Sequence, residues 1–183
     1  ELPSADGRMP ETVEPLRWVI HGGPGTGKSH FVKNVIKEEL FDQVLQWKQG
    51  LDYQPMALQA VMANLLDGDT IHHSCGIPIL KKGKDGDIVI HQQKEVAERF
   101  LYWRWLLIDE FGMVGCDLFA QVDLKLRDLV VDVRATKKGH RDTVRPFGGL
   151  NVVLCGDLWQ LPPPSGGFLG NIPTEWIQKA LKF

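Results

Sequence analysis

The run His21-Gly22-Gly23-Pro24-Gly25-Thr26-Gly27-Lys28-Ser29 constrains this chain more than any other stretch. It fits G-x-x-x-x-G-K-[ST], the spacing of a phosphate-binding loop. The preceding Leu16-Arg17-Trp18-Val19-Ile20 reads as a short buried strand. After Ser29, Phe31, Val32, Val35, Ile36 and Leu40 recur at helical spacing and predict a helix. Strand, glycine loop and helix together form the context such a loop requires. Glycines let backbone N–H groups turn inward around phosphate oxygens, where side chains would block the approach. The helix N-terminus adds partial positive charge. Gly23, Gly25, Thr26 and Gly27 are therefore the expected phosphate cradle. Lys28 is placed to reach the β- and γ-phosphates, and the Ser29 hydroxyl to ligate Mg²⁺.

The rest of the composition narrows the classes without choosing among them. At 183 residues and 43% hydrophobic, the chain can bury a core of its own. A formal net charge of −2 gives no overall pull toward nucleic acid, so any such contact must be local. Cys75, Cys116 and Cys155 are widely separated, which suits reduced thiols inside a cell better than a disulfide framework or a zinc site. No apolar run is long enough to span a membrane.

Residues 1–15, with Pro3, Gly7, Pro10 and Pro15, read as a flexible lead-in, and 16–183 as one α/β unit. Leu58, Val61, Met62, Leu65 and Leu66 predict a helix ending near Asp67-Gly68-Asp69. Thr70 to His73 is expected to be extended or a loop, and Lys81 to Asp87 an exposed charged turn. Gln92 to Tyr102 has helical spacing. Trp103 to Ile108 reads as a buried parallel strand, Asp117 to Val133 as an amphipathic helix, and Asn151 to Cys155 as another strand. Ala135 to Arg145 is basic and irregular, and Thr174 to Phe183 begins a helix. Alternating strands and helices predict a mostly parallel sheet flanked by helices, with ligands at the carboxyl ends of its strands. The phosphate loop, Asp109-Glu110 and Gly156-Asp157 all come directly after strands, so the three should meet at one edge.

Asp109 and Glu110 close an apolar strand. In that setting Asp109 is expected to hold Mg²⁺, directly or through water, and Glu110 to orient and deprotonate an attacking water. Gln160 is no base, but its amide can donate to a γ-phosphate oxygen and accept from water. Asp157 is expected either to hold this loop or to contact metal-bound water. His72 and His73 near Cys75 lack a second ligand cluster at metal spacing. Trp159 is the tryptophan best placed to stack a base.

Three segments resemble one family. Gly22 to Ser29 is similar to its motif I. Ile108-Asp109-Glu110-Phe111-Gly112-Met113-Val114 is similar to its motif II, usually I-D-E-x-S-M-V. Leu154-Cys155-Gly156-Asp157-Leu158-Trp159-Gln160-Leu161-Pro162-Pro163 is similar to its motif III, G-D-x-x-Q-L-P-P. The chain resembles a Pif1-like DNA helicase of superfamily 1 from about Val19 to Phe168. Arg145-Pro146-Phe147-Gly148-Gly149-Leu150-Asn151 resembles the branch found in Helitron-type transposon proteins, and Thr70-Ile71-His72 the T-x-H of motif Ib.

The resemblance implies a RecA-like P-loop NTPase fold and an ATP-dependent, 5′-to-3′ helicase acting in DNA repair, recombination, telomere maintenance or transposition. It implies ATP and Mg²⁺ as cofactors, single-stranded or partly duplex DNA as partner, and a nuclear or mitochondrial place of action. It also implies that this is the first of two RecA-like domains, the second supplying arginines to the γ-phosphate, and that His72 contacts DNA. The chain departs from the pattern in three places. Gln54-Pro55-Met56-Ala57 stands where motif Ia is usually A-P-T-G, no glutamine precedes motif I, and Gly112 replaces the usual serine of motif II. Two rival readings remain at this level: a nucleotide-binding switch or tether without turnover, and a kinase, which the Gly156 to Pro163 segment disfavours.

Overall fold

The computed structural model describes residues 14–78, 100, 102–129 and 145–170. Five strands form one sheet in the order β1-β5-β4-β2-β3, every pairing parallel. They are β1 (Arg17–His21), β2 (Tyr53–Ala57), β3 (Asp69–Thr70), β4 (Trp105–Asp109) and β5 (Asn151–Gly156). The helices are α1, which starts at Lys28–His30 and continues as the π-wound Phe31–Val44, then α2 (Ala60–Leu65), α3 (Ile71–Cys75) and α4 (Cys116–Leu129). Short 3₁₀ turns cover Phe111–Met113 and Pro146–Gly149.

Successive strand residues point to opposite faces, and the central strands use both. Leu106, Ile108, Met56 and Val152 join Ile71 and Cys75 of α3 and Val122 and Leu126 of α4 in one core. Leu107, Tyr53, Val153 and Cys155 join Val32, Ile36 and Phe41 of α1 in a second core on the other face. Phe41 anchors that second layer, with its ring centroid 5.2, 5.0 and 5.4 Å from those of Trp47, Tyr53 and Trp105. The expected parallel α/β architecture is therefore present, with helices on both faces.

Four local expectations change. β1 is not buried: it pairs with β5 alone among the described strands, and Trp18 and Val19 are 53% and 57% exposed. In α1, Val32, Ile36, Lys37 and Phe41 are buried, while Phe31, Val35 and Leu40 are turned outward. The π winding, with Leu45 N–H donating to Leu40 O, places more residues in each turn and rotates the stripe away from α-helical spacing. Lys37 is tolerated in that stripe because its ammonium lies 3.5 Å from Asp42 and 3.6 Å from Asp67.

The third change is β2, which sequence periodicity does not reveal. Pro55 cannot donate to a ladder and normally excludes a central strand. Here β3 pairs with β2 only at Met56 and Ala57, and the Pro55 carbonyl instead faces Gly68, whose ideal Cβ would lie 2.5 Å from it. The fourth is Thr70 to His73. Thr70 ends β3 and caps α3, its hydroxyl accepting the His73 N–H at 3.2 Å. His72 and His73 are therefore helical. The expected helix α2 holds, although Val61 and Leu65 lie on its exposed side. The expectations for 1–13, 81–87, 92–99, 101, 130–133, 135–144 and 174–183 lie outside the described residues.

The turn after β4 and the loop after β5 approach each other at backbone distance. A Cβ on Gly112 would stand 2.4 Å from the Asp157 carbonyl oxygen, and one on Gly156 would stand 2.9 Å from the Phe111 nitrogen. This closeness accounts for glycine where a serine is usual: any side chain at position 112 must push the two segments apart. Gly112→Ala should therefore destabilise the chain by about 1–3 kcal/mol, the usual range for an overpacked site. Urea unfolding of the two forms reads this as a lower midpoint at unchanged slope, and an unchanged midpoint would contradict the contact.

Candidate nucleotide site

The phosphate loop joins β1 to α1. Gly25 and Gly27 have φ of +71° and +83°, in the left-handed region that L side chains rarely adopt. Nothing lies within 4 Å of an ideal Cβ on Gly23, Gly25 or Gly27, so the loop presents open, unobstructed backbone. Thr26 fastens the loop to itself, its hydroxyl donating to Gly23 O at 2.9 Å. The Lys28 ammonium donates to the same carbonyl at 2.9 Å, which holds the cation at the mouth of the loop. Ser29 is next, half-buried in the first turn of α1.

Asp109 ends β4 and is 1% exposed. Its Oδ1 accepts the Glu110 N–H at 2.9 Å, while Oδ2 is buried and, the Cys155 thiol beside the carboxylate aside, meets no hydrogen-bond donor among the described residues. A buried carboxylate oxygen without a partner is costly unless a cation or its water completes it. Among the described residues no cluster of three or more His, Cys, Asp or Glu could hold a metal by itself. Mg²⁺ does not need one, since it is commonly held by one or two carboxylates with substrate phosphates and water. The donor set of Asp109 Oδ2 with a hydroxyl such as Ser29 fits that chemistry.

Glu110 comes next in the left-handed region, at φ 51° and ψ 42°. A non-glycine residue there stores strain of order 1–3 kcal/mol, and such strain gathers at functional sites. Burial, and then the adjacent Asp109, hold the Glu110 carboxyl above its ordinary range; Lys28 pulls it down and Asp157 adds to the rise. Lys28 and Glu110 are thus electrostatic neighbours across the gap between loop and strand. Cys155, on β5, faces the same group. Burial first and then Asp109 push its thiol upward, so it is a protonated wall of the site. Cys75 is likewise buried, its thiol pushed up to about 12, whereas Cys116 is only partly buried. All three are free thiols.

Asp157 is 5% exposed and folds the loop after β5, its Oδ1 accepting the Trp159 N–H at 2.9 Å. His21, to which sequence reasoning gave no role, lies against it with Nε2 3.2 Å from the same oxygen. Only the register could have pointed to this, because His21 pairs with Gly156. Gln160 is exposed on that loop, and no hydrogen bond fixes its amide among the described residues. Trp159 is 87% exposed.

Beside the Phe111–Met113 turn lies a cavity of about 400 Å³, lined by Leu58, His72, Met113, Asp117, Gln121 and Pro164 among others. Two expectations are adjusted here. Gln54-Pro55-Met56-Ala57, which stands where motif Ia was expected, is strand in β2, and Leu58-Gln59 leads from its carboxyl end into α2. Neither threonine nor glycine occupies that turn. His72 lines the cavity from α3, and burial lowers its pKa, favouring the neutral ring.

Comparison with known proteins agrees with this geometry. Residues 14–167 match the family model of the PIF1-like helicase. The chain is 34% identical over 152 residues to the ATP-dependent DNA helicase PIF6 of Trypanosoma brucei brucei, covering 79% of this chain and 16% of that protein. It is 28% identical over 146 residues to human ATP-dependent DNA helicase PIF1, covering 80% and 20%. Among solved structures, the Pif1 helicase from Bacteroides in complex with ADP-AlF3 and single-stranded DNA superposes with a TM-score of 0.57 at 26% identity, over 92% of this chain and 32% of that one. Pif1 from Candida albicans gives 0.58 at 28%, over 85% and 32%. The chain thus spans a fifth or less of the curated relatives it matches here. The five-stranded parallel sheet with its phosphate loop is the RecA-like fold, and the chain belongs to the PIF1-like helicase family.

Proposed function

We propose that this chain is the first RecA-like motor domain of an ATP-dependent DNA helicase. The observation that carries the reading is the meeting of an open phosphate loop, a cation at its mouth and a buried, incompletely satisfied Asp109 beside a strained Glu110. In this reading the backbone N–H groups of Gly23, Gly25, Thr26 and Gly27 bind the ATP phosphates, and Lys28 neutralises the β- and γ-oxygens. Ser29 and Asp109 would hold Mg²⁺, which when bound screens phosphate charge. Glu110 accepts the proton of the attacking water, and a raised carboxyl pKa makes it a stronger base. Gln160 senses the γ-phosphate from its exposed loop.

Several relatives are named ATP-dependent DNA helicases, and the Bacteroides protein is described in complex with ssDNA. That supports DNA as the partner here. The cavity lined by Leu58, Met113 and Pro164, which follow β2, β4 and β5 in the chain, is in this reading the place where a single strand passes. A second RecA-like domain closing on the nucleotide, 5′-to-3′ polarity, and work on nuclear or mitochondrial DNA in repair, recombination, telomere maintenance or transposition belong to the same proposal. A nucleotide-dependent switch without turnover is the rival, favoured only by the altered motif Ia turn.

Lys28→Ala should weaken binding of a fluorescent ATP analogue with Mg²⁺ and abolish turnover; unchanged affinity would remove the site assignment. In the full-length protein, Glu110→Gln should bind ATP normally and lose hydrolysis by about 10²–10⁴-fold, the worth of general-base assistance. Single-turnover measurements decide this, and a rate near that of the parent would make Asp157 the next carboxylate to test. Gln160→Ala should retain hydrolysis but lose part of its stimulation by DNA; full stimulation would remove Gln160 from the coupling.

A further inference from the structure

His21 is the last residue of β1 and pairs in register with Gly156, the last residue of β5. Its ring spans the two strand ends, from the start of the phosphate loop to the turn that carries Gln160. One ring atom makes both contacts there: Nε2 is 3.2 Å from Asp157 Oδ1 and 3.4 Å from the Leu158 nitrogen. The same Oδ1 accepts the Trp159 N–H at 2.9 Å. Asp157 itself is 5% exposed, with its carbonyl pressed against Gly112, so this turn has little freedom except in the residues beyond it.

We propose that His21 is a positioning residue that fastens the phosphate loop to the Asp157–Gln160 turn. The proposal rests on the nucleotide-site reading above. The chemistry suits the task in either protonation state. With a proton on Nε2, the ring donates to Asp157 Oδ1; without one, Nε2 accepts the Leu158 N–H. Either bond ties β1 to the turn, so the register between Lys28 and Gln160 is set by a side chain as well as by the strand ladder. An exposed glutamine without a hydrogen bond among the described residues depends on such a support to find a γ-phosphate oxygen repeatedly. His21 contacts neither the loop's cradle glycines nor Lys28 by any hydrogen bond or ion pair among the described residues, so its influence should fall on DNA-stimulated turnover and not on nucleotide affinity.

Two measurements separate this inference from the reading it rests on. In this chain without nucleotide, His21→Ala should speed amide exchange at Leu158 and Trp159 about tenfold while leaving the core amides of β4 and β5 unchanged. Unchanged exchange at Leu158 and Trp159 would overturn the bridge whatever the protein does with ATP. In the full-length protein, His21→Ala should leave KM for ATP within about threefold and lower the DNA-stimulated part of kcat, by no more than Gln160→Ala does and by up to about tenfold, the scale of one hydrogen bond involving a charged group. His21→Gln, whose amide can both donate to Asp157 and accept from Leu158, should recover most of that loss. In a Gln160→Ala background, His21→Ala should have little further effect, since the two act as one unit. Equal losses in both backgrounds, or no rescue by glutamine, would overturn the positioning role. Loss of ATP affinity in Lys28→Ala bears only on the site itself.

Discussion

Parallel register is the constraint on which everything else here depends. β1, β5 and β4 run side by side with Ile20 opposite Cys155 and Leu154 opposite Ile108, so three strands end at nearly one level. Their ends therefore deliver three segments to one edge: the phosphate loop after β1, Asp109 and Glu110 at the end of β4, and the Asp157 turn after β5. A slip by one residue would turn Asp109 to the opposite face and separate it from Cys155. The register is held by burial of apolar side chains on both faces, and most of the chain's core residues serve it. Fold and site are thus products of the same pairing.

Within that frame, the site is tightened by backbone contact more than by side chains. Gly112 and Gly156 let the turns after β4 and β5 touch, and the strained Glu110 is the residue that turns the chain between them. Polar links then fold each segment on itself, and one joins β1 to the loop after β5. Asp109 receives the Glu110 N–H, Asp157 receives the Trp159 N–H, and His21 reaches Asp157 from β1. At the outer rim Gln160, Trp159 and Leu161 stand exposed.

The site was largely legible in the sequence because its determinants are local. Gly25 and Gly27 encode backbone shape by themselves, and an apolar run ending in Asp109-Glu110 encodes a strand edge. Elements whose state depends on partners were harder to read. Pro55 hides β2, since only the shortness of β3 makes a proline acceptable there. The π winding of α1 exchanges Leu40 for Phe41 in the core, which α-helical spacing does not anticipate. Thr70 converts an apparent loop into a capped helix through a single hydrogen bond to His73 N–H. β1 carries a strand's composition, yet its burial depends on neighbours, and β5 alone pairs with it among the described strands. His21 falls in the same class, because its meaning lies in Asp157, a partner far along the chain.

Under the proposed function, this edge hydrolyses ATP and couples the reaction to DNA. The most direct measurement is steady-state ATP hydrolysis by the full-length protein, with and without single-stranded DNA, at saturating ATP and Mg²⁺. Marked stimulation by the strand is the expected result. Equal and slow rates in both conditions, with ATP still bound, would contradict it and identify the domain as a nucleotide-dependent switch.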